Sequence, residues 1–149
     1  MGNKPDRSWR DRVLPPEKVM ARLEPGMTIF IGTGVAEPRT LVQHLMASDA
    51  DNLQDLELIQ LVSLGDAIRV ESIQNQKFRL KTFFSGWVAS DAITAGRVDL
   101  IPSRFSRIPR LIGTGRIGVD VVFLQVSPPD EAGYCSLGVA VDAGRQAMA

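Results

Sequence analysis

The sequence predicts an α/β fold with an open, mostly parallel sheet and helices on both faces. Three observations support this class: predicted strands alternate with predicted helices, hairpin signals are weak before residue 130, and residues 121–124 form a continuous apolar run. Alternating strands and helices form parallel sheets, and an unbroken apolar run suits a strand that is covered on both faces. A chain of 149 residues with 44% hydrophobic side chains suits one globular domain.

The first half of the chain contains two predicted strand–helix units. A short helix over residues 16–23 has proline in its first turn, where the missing N–H has no helical partner to lose. Residues 27–31 are apolar and form the first strand. Pro38 opens a helix whose apolar side chains share one face, and residues 56–64 form a strongly apolar second strand. Residues 67–74 are compatible with a further helix.

The second half of the chain continues the alternation of strands and helices. Aromatic residues in a roughly alternating pattern predict a strand at residues 78–84. A short helix is predicted at residues 90–95, and Gly96 is its stop because glycine commonly follows the last helical turn. The remaining elements are a strand at residues 98–101, a helix at 105–112 and a last strand at 119–126.

Charge and hydropathy exclude several classes of function. The chain has 17 basic and 17 acidic side chains, whereas nucleic-acid binding needs a surplus of lysine and arginine. Residues 1–12 are basic but lack the apolar run of a signal peptide, and no stretch approaches the roughly 20 apolar residues that span a bilayer. We expect a cytoplasmic protein that binds neither nucleic acid nor membrane. The one cysteine, Cys135, excludes an intrachain disulfide and is expected to be buried.

The loops that follow the predicted strands are the expected functional region, because open parallel sheets bind ligands beyond the carboxyl ends of their strands. These loops lie at residues 32–37, 63–66, 85–87, 102–104 and 127–133. Carboxylates such as Glu37 and Asp130 lie in them and could act as general bases, although capping and turn formation are their commoner roles.

The sequence Gly32-Thr33-Gly34 lies between a predicted strand and a predicted helix, as nucleotide-binding loops do. Glu37 takes the place of the third glycine of the G-x-G-x-x-G pattern and adds a negative charge, so a dinucleotide site is poorly supported. A tight turn and a substrate-binding loop remain the two interpretations. The literal G-x-G-x-x-G match at residues 113–118 follows a helix and precedes a strand, so we interpret it as a helix stop.

Side chains suited to nucleophilic or metal catalysis are scarce in the sequence. His44 is the only histidine, and its position off the centre of the apolar face of its helix predicts a partly exposed residue. One histidine and one cysteine form no recognisable zinc-binding pattern, so we expect no metal site. A self-contained hydrolase that uses His44 with an internal carboxylate is the weakest of the hypotheses.

Several motifs together resemble a known family. These are GMTIFIGTGVAEP at residues 26–38, GRVDLIP at 96–102 with SRIP at 106–109, and QVSPPDEAGYCSLG at 125–138. From about residue 12 to residue 142, the chain resembles the N-terminal domain of the acetyl-CoA hydrolase/transferase family, which is similar to 4-hydroxybutyrate and acetate CoA-transferases. Many members have a histidine where this chain has Ala132, so any substrate contact made by that imidazole is not expected here.

The resemblance implies a two-domain enzyme with the active site between two related α/β domains. The nucleophile of such enzymes is a glutamate of the second domain, which forms an acyl-glutamyl anhydride and then a glutamyl-CoA thioester. No position here matches that glutamate, so no catalytic residue is assigned. Residues 1–149 are then a single N-terminal domain cut before a catalytic C-terminal domain, and Asp142 would cap a helix left unfinished at Ala149. A coenzyme A thioester is the implied substrate, with no permanently bound cofactor.

The resemblance also implies which residues contact substrate. Backbone groups of the first two loops would face the acyl group or the acceptor carboxylate, and the last loop would shape the cleft. The candidate substrate-binding residues are Gly32, Thr33, Gly34, Val35, Glu37, Ser63, Leu64, Gly65, Asp66, Ser127, Pro128, Pro129, Asp130 and Glu131. The implied partners are an acyl-CoA, a small carboxylate, the C-terminal domain and further copies of the chain in a homo-oligomer. The alternative is a stand-alone α/β module that binds a small molecule or a protein without catalysis.

Overall fold

Strands and helices alternate along the chain in the computed structural model, which describes residues 9–62 and 77–149. The strands are β1 (Thr28–Ile31), β2 (Leu56–Gln60), β3 (Phe78–Thr82), β4 (Val98–Leu100) and β5 (Val121–Phe123). The helices are α1 (Pro16–Met20), α2 (Arg39–Ala47), α3 (Trp87–Thr94), α4 (Ile108–Gly113) and α5 (Gly144–Ala147). Short 3-10 helices lie at Trp9–Arg12, Gly34–Ala36 and Phe105–Arg107.

The five strands form one sheet in the order β4-β3-β2-β1-β5, and every neighbouring pair is parallel. In the register of the central strands, Ile29 lies between Leu58 and Val121. All strands therefore end at the same edge of the sheet, and the loops that follow them lie together there. The predicted helix over residues 67–74 lies outside the described residues.

Two hydrophobic cores cover the two faces of the sheet, because successive residues of β1 point to opposite faces. One core contains Ile29, Ile31, Leu58, Met20 of α1, Leu45 of α2 and Ala92 of α3. The other contains Phe30, Ile59, Ile108 and Ile112 of α4, and Ala143 beside α5. Full burial of one such large apolar side chain contributes about 1.5–3 kcal/mol. The predicted α/β class with helices on both faces is confirmed.

The last strand differs from its prediction. A strand is present here, but it is shorter than residues 119–126: β5 has 3 residues, lies at the end of the described sheet and pairs with β1 alone. Its two faces are covered as predicted, because Val121 and Phe123 pack in one core and Val122 and Leu124 pack in the other. Val121 and Val122 are only half-buried. The start of β5 is fixed by Asp120, whose carboxylate accepts a hydrogen bond from the Thr28 N–H at 2.8 Å. An apolar run predicts a strand, but it does not report which neighbours that strand has.

Two glycines end helices as their sequence positions predict. Gly96, at φ +68°, follows α3, and its N–H donates to the Ile93 carbonyl at 3.0 Å. Gly115, at φ +69°, follows α4, and its N–H donates to the Ile112 carbonyl at 2.8 Å. Positive φ strains residues with a Cβ, which explains glycine at both places. The interpretation of residues 113–118 as a helix stop is therefore confirmed.

The pair formed by Asp49 and Lys77 gives a prediction about pH. A hydrogen bond at 2.8 Å from the Lys77 ammonium, together with its charge, lowers the pKa of the Asp49 carboxyl below its ordinary value of 3.8. Removing the ammonium in Lys77→Gln should raise that pKa toward 3.8, as an NMR titration of the Asp49 carboxyl would detect. A lowered carboxyl pKa stabilises the fold above the unfolded pKa and loses its effect as pH falls through the folded pKa.

The stability difference between wild type and Lys77→Gln should therefore be constant near neutral pH. It should shrink as the pH falls through 3.8 and below. The variant Lys18→Gln removes a lysine of α1 and is the matched control, with an unchanged Asp49 titration. An Asp49 pKa that does not move in Lys77→Gln would contradict the assignment.

Candidate functional site

The loop after β1 packs tightly against the end of β5. The Gly32 N–H donates to the Phe123 carbonyl at 2.9 Å, and the chain then turns through the Gly34–Ala36 3-10 helix into α2. A Cβ on Gly32 would lie 3.2 Å from the Ala36 carbonyl oxygen and 3.3 Å from Leu124 Cδ2. Close packing therefore favours glycine at position 32, because an added Cβ would force its neighbours to shift, in agreement with the tight-turn interpretation.

Glu37 is buried beneath this loop instead of facing solvent, with 1% of its surface exposed. Its Oε2 accepts a hydrogen bond from the Nε2 of Gln60 at 2.8 Å. Gln60 is the last residue of β2 and is also 1% exposed, and its Nε2 lies 3.4 Å from the Gly32 carbonyl oxygen. The Gln60 amide therefore links the end of β2 to the Glu37 carboxylate and to the loop at Gly32.

Buried polar atoms without a partner gather around this pair. Within the described residues, Glu37 Oε1, Gln60 Oε1 and Thr33 Oγ1 are buried and make no hydrogen bond. A buried carboxylate costs free energy unless its oxygens receive donors or face a cation. These acceptor atoms suit a hydrogen-bond donor, supplied by a bound molecule or by another part of the protein.

Two cavities at the carboxyl end of the sheet bring the predicted loops together. A groove of about 670 Å³ is lined by Val35 and Glu37 of the first loop, by the start of α2, and by Gln125 and Val126 after β5. A second cavity, of about 320 Å³, is lined by Val35, Val126 and Ser127, among others. Val35, Glu37 and Ser127 are thus placed at one edge of the sheet, as their positions in the sequence predicted.

The segment after β5 is held in shape by its own hydrogen bonds. Ser127 and Ser136 are paired: the Ser127 N–H donates to the Ser136 carbonyl, and the Ser136 N–H donates to Ser127 Oγ, both at 2.9 Å. Asp130 Oδ1 accepts hydrogen bonds from the N–H groups of Ala132 at 2.9 Å and Tyr134 at 2.8 Å. The Asp130 carboxylate therefore forms a turn. The remaining candidates of this segment, Pro128, Pro129 and Glu131, line neither of the two cavities.

Other candidates fall elsewhere. Ser63, Leu64, Gly65 and Asp66 lie outside the described residues. Cys135 is exposed, so its predicted burial is wrong, because the turn around Asp130 carries it away from the cores. His44 is partly exposed as predicted; its Nδ1 lies 2.8 Å from the Thr40 carbonyl oxygen and its Nε2 lies 3.3 Å from Glu17.

Sequence reasoning missed Gln60, which belongs to no motif, and it did not assign a role to Gln125, the first residue of the motif at residues 125–138. The available signal for Gln60 was its place as a polar residue at the carboxyl end of an apolar strand. Over residues 9–62 and 77–149, no three His, Cys, Asp or Glu side chains are grouped as metal ligands. In the same parts of the chain, every helix is too short or too polar to cross a membrane.

Comparison with known protein families agrees with this architecture. Residues 3–149 match the family described as the acetyl-CoA hydrolase/transferase N-terminal domain. The chain belongs to this family, and the resemblance stated from the sequence motifs is confirmed.

Individual relatives are longer than this chain. It is 33% identical over 134 residues to a 4-hydroxybutyrate coenzyme A transferase of Clostridium kluyveri, covering 90% of this chain and 31% of that protein. It is 33% identical over 127 residues to a succinyl-CoA:acetate/propanoyl-CoA:succinate CoA transferase of Fasciola hepatica, covering 85% of this chain and 26% of that protein. The crystal structure of RipA from Yersinia pestis superposes with a TM-score of 0.81 at 25% identity, covering 96% of this chain and 36% of RipA.

Proposed function

We propose that this chain is the N-terminal domain of an acyl-CoA:carboxylate CoA-transferase or acetyl-CoA hydrolase, and that it forms one wall of the active site. The main observation that supports this proposal is that the loop at Gly32–Glu37 and the loop at Ser127 lie together at the carboxyl end of the parallel sheet. The chain spans 31% and 26% of two curated CoA-transferases that it matches, which leaves room for a catalytic C-terminal domain. In this proposal that domain supplies the nucleophilic glutamate.

The residues of this chain bind and orient substrate in the proposed reaction. A coenzyme A thioester is the donor and a small carboxylate the acceptor, without a permanently bound cofactor. Backbone N–H groups at the start of the Gly34–Ala36 turn would donate to an acyl oxygen or to the acceptor carboxylate, since such donors stabilise developing negative charge. Ser127, Pro128, Pro129, Asp130 and Glu131 would shape the cleft beside them, and Ser63, Leu64, Gly65 and Asp66 would face the acyl group.

Exposed valines mark the face that the proposed second domain would cover. Val35 is 75% exposed, Val126 is 45% exposed and Val139 is 87% exposed, and all three line the cavity of about 320 Å³. Adjacent exposed apolar side chains are typical of surfaces that meet a partner. We therefore also propose that a chain lacking the C-terminal domain self-associates through this face, which sedimentation of residues 1–149 at high concentration would detect.

The variant Val35→Asp, made in the protein extended by its C-terminal domain, tests the wall assignment. The new carboxylate would lie at the mouth of both cavities. It should lower kcat/KM for CoA transfer by about tenfold or more, because it would repel the acceptor carboxylate and replace an apolar substrate contact by a hydrated charge. The fold of residues 1–149 should be little affected, since the Val35 side chain is exposed in this domain on its own. Val13→Asp, at a position 63% exposed near the N-terminus, is the matched control. An unchanged kcat/KM in Val35→Asp would contradict the proposed wall.

A further inference from the structure

Three arginines around α4 line a cavity that contains none of the residues assigned to the proposed active site. Arg107 precedes α4, Arg110 lies within it, and Arg116 lies in the connection to β5. Together with Leu111 and Thr114 they line a cavity of about 450 Å³. All three arginines are exposed, whereas the buried face of α4 is formed by Ile108 and Ile112. Packing of the fold therefore does not require arginine at these positions.

The path of the chain around α4 brings the three arginines to one cavity. Arg107 and Arg110 are three residues apart, which places them on one face of a helical turn. After α4 the chain reverses at Gly115, and the Ile117 N–H donates to the Leu111 carbonyl at 3.1 Å. Thr114 Oγ1 also donates to the Arg110 carbonyl at 2.7 Å. This return brings Arg116 back beside the helix.

The charge of this cavity is not neutralised by the parts of the chain that the structure describes. Residues 100–119 contain four arginines and no acidic residue, in a protein whose basic and acidic side chains number 17 each. Among the described residues, none of the three arginines that line the cavity forms an ion pair, whereas Arg79 pairs with Asp55 at 2.9 Å and Lys81 pairs with Glu57 at 2.7 Å. Three positive charges that line one cavity repel one another unless an anion lies between them, so the cavity is suited to an anionic ligand.

The guanidinium group presents planar, paired N–H donors that match the oxygens of carboxylate and of phosphate. Several such groups around one cavity favour phosphate, because a phosphate group carries about two negative charges and three acceptor oxygens, whereas a carboxylate carries a single charge. The cavity volume of about 450 Å³ lies in the range of small-molecule sites. We propose that Arg107, Arg110 and Arg116 form a binding site for the phosphate groups of a small molecule.

Two sources of such phosphates are distinguished by the experiment. One source is the nucleotide end of coenzyme A, and this alternative rests on the proposed function. The other source is a separate phosphate-bearing effector, and this alternative is independent of the proposed function. The probes are inorganic pyrophosphate, adenosine 3′,5′-bisphosphate and coenzyme A, with malonate as a dianion that lacks phosphate, and binding is measured by isothermal titration calorimetry at low salt.

Pyrophosphate should bind with a Kd below about 1 mM, and malonate should bind at least about tenfold more weakly. Arg110→Ala and Arg116→Ala should each weaken pyrophosphate binding by about fivefold or more, and the double variant by more than either. Arg22→Ala, which removes an exposed arginine outside the cavity, is the control and should bind as wild type does. If coenzyme A and adenosine 3′,5′-bisphosphate both bind more tightly than pyrophosphate, coenzyme A is the source of the phosphates. If all three bind with equal affinity, the source is a separate effector.

Absence of pyrophosphate binding, or binding that is equal in wild type and in the double variant, would overturn the site. Preference for malonate over pyrophosphate would also overturn it, because it would show a carboxylate site instead. These measurements need no catalytic turnover. Failure of CoA transfer would therefore leave the phosphate site standing, and failure of pyrophosphate binding would leave the proposed function standing.

Discussion

The Gln60→Leu variant should unfold with a free energy about 2–4 kcal/mol lower than that of wild type. Leucine removes the amide that donates to Glu37 Oε2 at 2.8 Å and leaves the buried carboxylate with no donor among the described residues. The same change removes the amide that lies 3.4 Å from the Gly32 carbonyl oxygen. The loss is large because a carboxylate that is buried without a partner keeps its desolvation cost and gains nothing in return. Urea denaturation measures it.

Two further variants separate this effect from a general loss of packing. Gln54→Leu makes the same chemical change at an exposed position and should alter the free energy of unfolding by less than about 0.5 kcal/mol. The double variant Glu37→Leu/Gln60→Leu should recover part of the lost stability, because replacing both partners removes the unpaired charge. If Gln60→Leu were as stable as Gln54→Leu, the hydrogen bond between Gln60 and Glu37 would contribute nothing measurable to the free energy of unfolding.

The Gly32→Ala variant should show the second large effect, on stability and on activity. The new Cβ would lie 3.2 Å from the Ala36 carbonyl oxygen, a backbone atom that can yield only if the loop moves. Such overpacking costs about 1–3 kcal/mol. In the protein extended by its C-terminal domain, kcat for CoA transfer should fall by about tenfold or more, because displacement of a substrate-positioning loop misplaces the reacting groups.

Gly144→Ala is the matched control for this change. A Cβ there would lie 3.1 Å from Leu124 Cδ2, the end of a side chain that can rotate away. Alanine also has a higher helix propensity than glycine, which favours it at the start of α5. We expect the free energy of unfolding of Gly144→Ala to fall by less than half as much as that of Gly32→Ala. Equal losses in the two variants would show that the backbone contact at Ala36 is not the cause.

Much of the fold could be predicted from local patterns. The strand β3, predicted at residues 78–84, occupies Phe78–Thr82, and the helix opened by Pro38 is α2 at Arg39–Ala47. These elements are specified by apolar periodicity and by the proline or glycine at their ends. The position of β5 at the end of the described sheet could not be predicted in this way. A strand carries the same apolar run whether one neighbour or two pair with it.

The candidate site could be predicted only in part, for a similar reason. The loop that contains Val35 and Glu37 was predicted from its place after an apolar strand, and the structure places it beside Ser127. The contact between Gln60 and Glu37 joins residues 23 positions apart, and no local pattern reports it. The exposure of Cys135 was not predicted, because the turn before it is formed by hydrogen bonds that Asp130 accepts, and no local sequence pattern predicts those bonds.

The most direct test of the central claim compares two purified proteins: residues 1–149, and the same sequence continued by the C-terminal domain that we propose. Each is assayed for transfer of coenzyme A from acetyl-CoA to a small carboxylate and for hydrolysis of acetyl-CoA. We expect turnover by the longer protein and none by residues 1–149, because the proposed nucleophile lies outside this chain. Turnover by residues 1–149 alone, or a longer protein that neither transfers coenzyme A nor hydrolyses its thioester, would contradict the claim.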